Sequence, residues 1–237
     1  NPIKVAVFKL ARISNFDDFD PLVGEDDVEL TFVSPGEALC GDADLVILPG
    51  SKATLSDLRF FYEQGWDTDL AAHVRRGGAV LGLCAGFQML GQHVSDPAGD
   101  EGTSGSAPGL GYLDIWTILG GEKRLVECSG KDPISGEAIK GYEMHIGKTE
   151  GPGLKQPFLE VSGADEGAVS PDGRIMGCYI HGLFSADGFR TAFLSKFRQN
   201  RKTGISYDLE VESALDALAE HLELHLNLDE VLRIAKA

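Results

Sequence analysis

The sequence contains no apolar run approaching the roughly 18 residues that a membrane-spanning helix needs, and its first residues form no charged-then-apolar leader. Cysteine is sparse and scattered. Cys40, Cys84, Cys128 and Cys178 lie far apart without a CxxC pair, which excludes a zinc ribbon or thioredoxin-type motif by spacing. Free thiols in a reducing, cytoplasmic setting are the expectation. Basic residues are outnumbered, with 21 Lys plus Arg against 37 Asp plus Glu, for a net charge of −16. A surface of that sign repels phosphate backbones and anionic lipid heads, so neither nucleic acid nor membrane is an expected partner. A phosphate-binding G-x-x-x-x-G-K-[ST] loop is also missing, because Gly50-Ser51-Lys52-Ala53 and Gly120-Gly121-Glu122-Lys123 lack its spacing.

What is present is ordinary globular composition, 43% hydrophobic and 24% charged over 237 residues, enough for one large domain or two small ones. Ile3 to Leu10, Val28 to Val33, Asp44 to Pro49 and Ala79 to Leu83 read as strands. Leu55 to Glu63 and Asp69 to Arg76 carry helical spacing between the last two. This alternation predicts an α/β fold, a mostly parallel sheet flanked by helices. Asp96 to Gly111 is rich in Gly, Ser and Pro and reads as a mobile surface loop beside the site. Tyr112 to Leu119, Ala138 to Ile146 and Arg174 to Ile180 look like strands, and Phe189 to Arg198 looks helical. Asp208 to Ile234 predicts a long helical stretch broken near Asn227-Leu228-Asp229, where Asn or Asp caps a second helix. The chain opens at Asn1, already inside a strand, and is expected to be a piece of something longer.

The sharpest chemical feature is Gly82-Leu83-Cys84-Ala85-Gly86, placed where an apolar strand turns into a helix. It follows the nucleophile-elbow pattern G-x-nucleophile-x-G with Cys in place of Ser. The glycines permit a sharp turn that lifts the nucleophile above the carboxyl edge of the sheet. A following helix, expected over Phe87 to His93, points its N-terminus at Cys84 and favours the thiolate. The Ala85 N–H is then a candidate oxyanion donor, with a second from Pro49-Gly50-Ser51. Among the six histidines, His181 is the best base: it ends the apolar strand Ile175 to Ile180 and precedes Gly182. The alternative for Cys84 is a buried structural thiol beside packing glycines.

Gly82 to Gln88, with Pro49-Gly50-Ser51 upstream and His181 downstream, resembles class I (triad) glutamine amidotransferase domains, a flavodoxin-like fold. The branch most resembled is that of the cobyric acid synthases. Its signatures match Arg12 to Leu22 (RISNFDDFDPL), Leu48 to Thr54, Gly141 to Gly147 and Gly177 to Phe184. The resemblance covers nearly everything to about residue 200, so residues 1–200 are expected to be the amidotransferase domain and 201–237 its helical extension. It implies a glutaminase half that splits glutamine through a thioester on Cys84 and passes ammonia on. The recipient is an ATP- and Mg-dependent N-terminal synthetase domain, outside this chain, which amidates corrinoid carboxylates of adenosylcobyrinic acid a,c-diamide in cobalamin synthesis. The same resemblance maps Gly50 and Ala85 to the oxyanion hole and Gln88 to the glutamine pocket, with Tyr142, Glu143 and His145 as further contributors. No cofactor is implied for this chain itself.

Two positions depart from the pattern. The triad class carries Glu two residues after its histidine, and here that residue is Leu183. Glu143, or a carboxylate from the synthetase half, is then a candidate to orient His181. Ala85 replaces the Gly more usual in the branch, a mild change because only the backbone N–H is used. Of the weaker signals, His221 and His225 have the i, i+4 spacing of a metal pair but more simply form a polar helix face. Asp17, Asp18 and Asp20 form an acidic run that could bind a cation but is more simply expected to be solvated. The competing functions are the amidotransferase domain of cobyrinic acid a,c-diamide synthase or of a cell-wall precursor amidating enzyme, and a non-catalytic glutamine-binding or docking module.

Overall fold

The computed structural model describes residues 2–199, 201, 204 and 206–236. The chain opens with β1 (Ile3–Phe8), the two-residue β2 (Ile13–Ser14), a 3-10 turn at Phe16–Phe19, α1 (Asp20–Val23) and β3 (Val28–Val33). β4 (Leu45–Leu48), β5 (Gly50–Ser51), α2 (Thr54–Glu63), α3 (Trp66–Arg75), β6 (Ala79–Leu83) and the short α4 (Ala85–Met89) follow. Next come β7 (His93–Asp96), β8 (Gly105–Pro108), β9 (Trp116–Ile118), β10 (Arg124–Lys131), β11 (Ala138–His145) and β12 (Lys148–Glu150). β13 (Leu159–Val161), β14 (Ala164–Glu166), β15 (Ala168–Val169), β16 (Ile175–Cys178), β17 (Ile180–His181) and α5 (Asp187–Ser195) complete the first compact unit, Asn1–Gly204. α6 (Tyr207–His225) and α7 (Leu228–Ala235) make up the second, Ile205–Ala237.

The central sheet has the order β15-β16-β6-β4-β1-β3 and is parallel apart from the β15–β16 edge pair. Its five parallel strands run in the doubly wound order in which the chain reverses direction beside β1, and such folds place their sites at the carboxyl ends there. β4 and β6 are buried at every residue, as expected for parallel strands covered on both faces, which is why they read as unbroken apolar runs. One core packs on each face. Phe8, Phe61 and Trp66 anchor the first, with ring centroids 4.8 and 4.9 Å from Phe8. Phe184, Phe189 and Phe193 anchor the second.

Several expectations change. The stretch Asp96 to Gly111 is not all loop: β8 pairs with β7, and both Asp96 carboxylate oxygens take the N–H groups of Gly99, Asp100 and Glu101. Only Trp116–Ile118 is strand within Tyr112 to Leu119. β10 pairs with β11 along its whole length, yet most of its residues are exposed, so no apolar alternation announces it. The helix after Cys84 spans Ala85–Met89 rather than Phe87 to His93. It stops before Gly91, where a Cβ would lie 2.7 Å from the Ile115 carbonyl oxygen, and His93 already belongs to β7. In the second unit the expected break occurs at Asn227, whose side chain accepts the Glu230 N–H at 3.1 Å and caps α7.

Candidate active site

Three neighbouring strands deliver the site. β6 leads into Cys84, β4 leads into Gly50, and the segment after β1 runs back across the carboxyl edge as β2 and the 3-10 turn. Cys84 has φ 52° and ψ −110°, a strained conformation for a non-glycine residue and the signature of a nucleophile elbow. Its N–H is tied to the Cys178 carbonyl at 2.9 Å. The flanking glycines are sterically required. A Cβ on Gly86 would lie 2.0 Å from the Leu48 carbonyl oxygen, and one on Gly82 would lie 2.7 Å from the Gly86 backbone. Ala85 is the first residue of α4, so its N–H has no partner within the helix.

His181 is fully buried at the end of β17. Its Nδ1 is 2.7 Å from Asp18 Oδ2, and Asp18 Oδ1 accepts the Gly182 N–H at 2.7 Å. Tyr142, its register partner on β11, stacks over the ring at 5.4 Å between centroids, and the Tyr142 hydroxyl accepts from Asn15 Nδ2 at 2.7 Å. A Cβ on Gly50 would lie 3.2 Å from His181 Cε1, so glycine there lets the imidazole sit against β5. His181 Nε2 is buried and makes no hydrogen bond. Burial opposes charging the ring, but Asp18 and Cys84 together outweigh it and hold the imidazole pKa up at about 10.

Cys84 Sγ opens into a cavity of 480 Å³, where it donates to the Met144 carbonyl at 3.3 Å. Gln88 lines the cavity floor, immobilised between the Thr54 hydroxyl at 3.0 Å, the Tyr179 hydroxyl at 3.2 Å and the Ile146 carbonyl at 3.3 Å. Lys52 and Lys123 supply positive charge to the lining, and Asp100 and Glu101 negative charge. Glu101 also accepts the Thr54 N–H at 2.5 Å, while burial holds its carboxyl above the usual range.

Of the sequence-predicted residues, Cys84 and Gln88 line the cavity, Ala85 follows Cys84 at the start of α4, Gly50 lies against His181 just outside the lining, and His145 reaches the cavity wall, stacked on Tyr179 at 3.7 Å. Tyr142 touches His181 but lies outside the cavity lining. Glu143 does neither. Its carboxylate is taken by Arg124 Nε at 2.6 Å and His145 Nε2 at 2.7 Å, so it does not orient His181. That contact belongs to Asp18, which is 4% exposed rather than solvated. The signal for it lay in the RISNFDDFDPL segment, where the acidic run is interleaved with phenylalanines, and Phe19 beside Asp18 is buried. His221 and His225 lie 4.4 Å apart between ring centroids on α6, and no group of three or more metal-ligating side chains occurs among the described residues.

The sequence profile of the CobB/CobQ-like glutamine amidotransferase domain matches residues 4–189. The chain belongs to that family. Curated relatives named cobyric acid synthase include one from Rhodobacter capsulatus, 53% identical over 232 residues, and one from Paracoccus denitrificans, 52% identical over 234. These alignments cover 98% and 99% of this chain and 48% of each relative, so the amidotransferase chain spans about half their length. Among solved structures, PurLQS from Thermotoga maritima superposes with a TM-score of 0.60 at 16% identity, covering 84% of this chain and all of that one. A structure described as a glutamine amidotransferase gives 0.53, also at 16% identity, covering 81% and 97%. These likenesses establish the class I amidotransferase fold. No helix among the described residues is long and apolar enough to cross a membrane.

Proposed function

We propose that this chain is the glutaminase half of an enzyme that amidates corrinoid carboxylates in cobalamin biosynthesis, with Cys84 as nucleophile and His181 as base and acid. The observation that carries this reading is a strained elbow cysteine beside a buried histidine whose Nε2 has no other partner. The Cys84 thiolate attacks the side-chain carbonyl carbon of glutamine. The resulting oxyanion is received by the Ala85 N–H, with Gly50, held in the β2–β5 ladder opposite Ser14, as second donor. His181 gives its proton to the departing nitrogen, ammonia leaves, and a thioester remains. Water, losing a proton to His181, then hydrolyses the thioester to glutamate and regenerates the thiolate.

The cavity suits an amino acid zwitterion. Gln88 and His145 stand near the reacting end, Lys52 and Lys123 complement a carboxylate, and Asp100 and Glu101 complement an ammonium group. Tyr142 and Glu143 serve this pocket indirectly, by stacking on His181 and by holding His145. Ammonia passes to an ATP- and Mg-dependent synthetase domain, a role consistent with the half of the cobyric acid synthase relatives that this chain does not span. The non-catalytic alternative drew its support from Leu183 in place of the class glutamate, and Asp18 on His181 removes that support.

The test is intact-mass spectrometry of the protein after incubation with an electrophilic glutamine analogue, beside Cys84→Ala. A single adduct on Cys84, absent from the variant, is expected. No adduct, with or without the synthetase half, overturns the reading.

A further inference from the structure

The class carboxylate is missing from its usual place, yet His181 Nδ1 is not left without an acceptor. Asp18 reaches it from 163 residues upstream, and three features show that the arrangement is built in rather than incidental. The carboxylate is almost completely buried and uses both oxygens on the histidine turn, Oδ2 on Nδ1 and Oδ1 on the Gly182 N–H. The segment that carries it is locked: the Asp18 N–H donates to the Asn15 carbonyl at 3.0 Å, and Phe19 is buried with its ring 5.9 Å from Phe32. The same segment secures the second face of the imidazole, because Asn15 holds the hydroxyl of the Tyr142 ring stacked on His181.

We propose that Asp18 is the positioning residue for His181, fixing its proton on Nδ1 and aiming Nε2 at Cys84. It thereby replaces, from the opening segment, a carboxylate that triad relatives carry two residues after the histidine. This inference rests on the glutaminase reading. A carboxylate accepts only, so Nδ1 keeps its hydrogen throughout and Nε2 is the atom that exchanges the catalytic proton with Cys84 and the leaving nitrogen. The titratable groups facing the ring are Asp18 from the opening turn, Cys84 from the elbow and Tyr142 from β11.

Asp18→Asn is the informative variant. Its Oδ1 can still accept the Gly182 N–H, but its NH2 group faces Nδ1 and selects the tautomer with hydrogen on Nε2, the wrong one for taking the thiol proton. In the full-length protein, kcat for glutamine hydrolysis is expected to fall roughly 10²–10⁴-fold with KM little changed, the size of a lost acid–base contribution. The pH profile of Cys84 alkylation should move to higher pH, which a purely structural defect would not cause. A wild-type kcat and alkylation profile in a folded Asp18→Asn protein overturns the proposal and leaves the glutaminase reading standing. Failure of the wild-type protein itself to form a Cys84 adduct overturns both. If the variant does not fold, nitrogen NMR of His181 in the wild-type protein decides: a protonated Nδ1 through neutral pH is expected, and a neutral ring with hydrogen on Nε2 refutes it.

Discussion

Restoring a glutamate at position 183, where triad amidotransferases carry one, should damage this protein rather than improve it. Leu183 is 1% exposed and belongs to the apolar cluster of Ile180, Phe184, Phe189 and Phe193. Leu183→Glu forfeits about 1.5–3 kcal/mol of leucine burial. It also puts a carboxyl into that cluster, at a cost of roughly 1–3 kcal/mol even when burial drives it to take up a proton. The sum, about 2.5–6 kcal/mol, corresponds to a fall in Tm of roughly 5–24 °C for a domain of this size. No compensating contact is available, because Asp18 already occupies His181 Nδ1. Thermal and urea unfolding of Leu183→Glu measure the loss, and glutamine hydrolysis by the Asp18→Ala/Leu183→Glu double variant measures any rescue. A variant as stable as wild type, or a double variant with restored turnover, would refute this reasoning by showing that residue 183 reaches the imidazole.

Two further outcomes follow from buried charge. Glu25 is clasped by Arg190 Nε at 2.6 Å and Arg201 Nη2 at 2.7 Å, all three side chains being nearly inaccessible, so Glu25→Gln should cost about 3–5 kcal/mol by leaving buried cations undercompensated. A urea midpoint that does not move, at constant slope, would contradict it. The second concerns His181, whose folded pKa of about 10 lies above its ordinary 6.5; its proton therefore contributes stability below about pH 6.5 that is lost as pH rises toward 10. Cys84→Ala removes one of the two groups that raise it and leaves burial unopposed except by Asp18, so proton NMR should find His181 titrating at lower pH than in wild type. An unchanged titration would mean that the sulfur does not act on the ring.

The sequence by itself determined the local features of this protein. Apolar runs bounded by turn residues located β4 and β6, because strands covered on both faces leave no room for polar residues, while β1 and the edge strand β3, which carry Lys4 and Glu29, were located by their β-branched and aromatic residues. The elbow was legible for the same kind of reason: Gly82 and Gly86 are dictated by backbone lying within 2.7 Å of any added Cβ, and the cysteine between them advertises its chemistry. Asn227 capped its helix where a short polar side chain was expected to. What only the tertiary structure decided are the long-range pairings. Strand β10 earns its place from hydrogen bonds to β11 rather than from burial, so its exposed side chains carry no period to read. The loop after β7 is folded around the Asp96 carboxylate, whose acceptor role composition hides behind glycine and serine. Asp18 looked like one of several solvated acids, and the turn that carries it was sorted from its neighbours only by packing Phe19 into the core. That packing set one carboxylate of the acidic run against His181 and left Glu143, the nearer candidate in sequence, bound to Arg124 and His145.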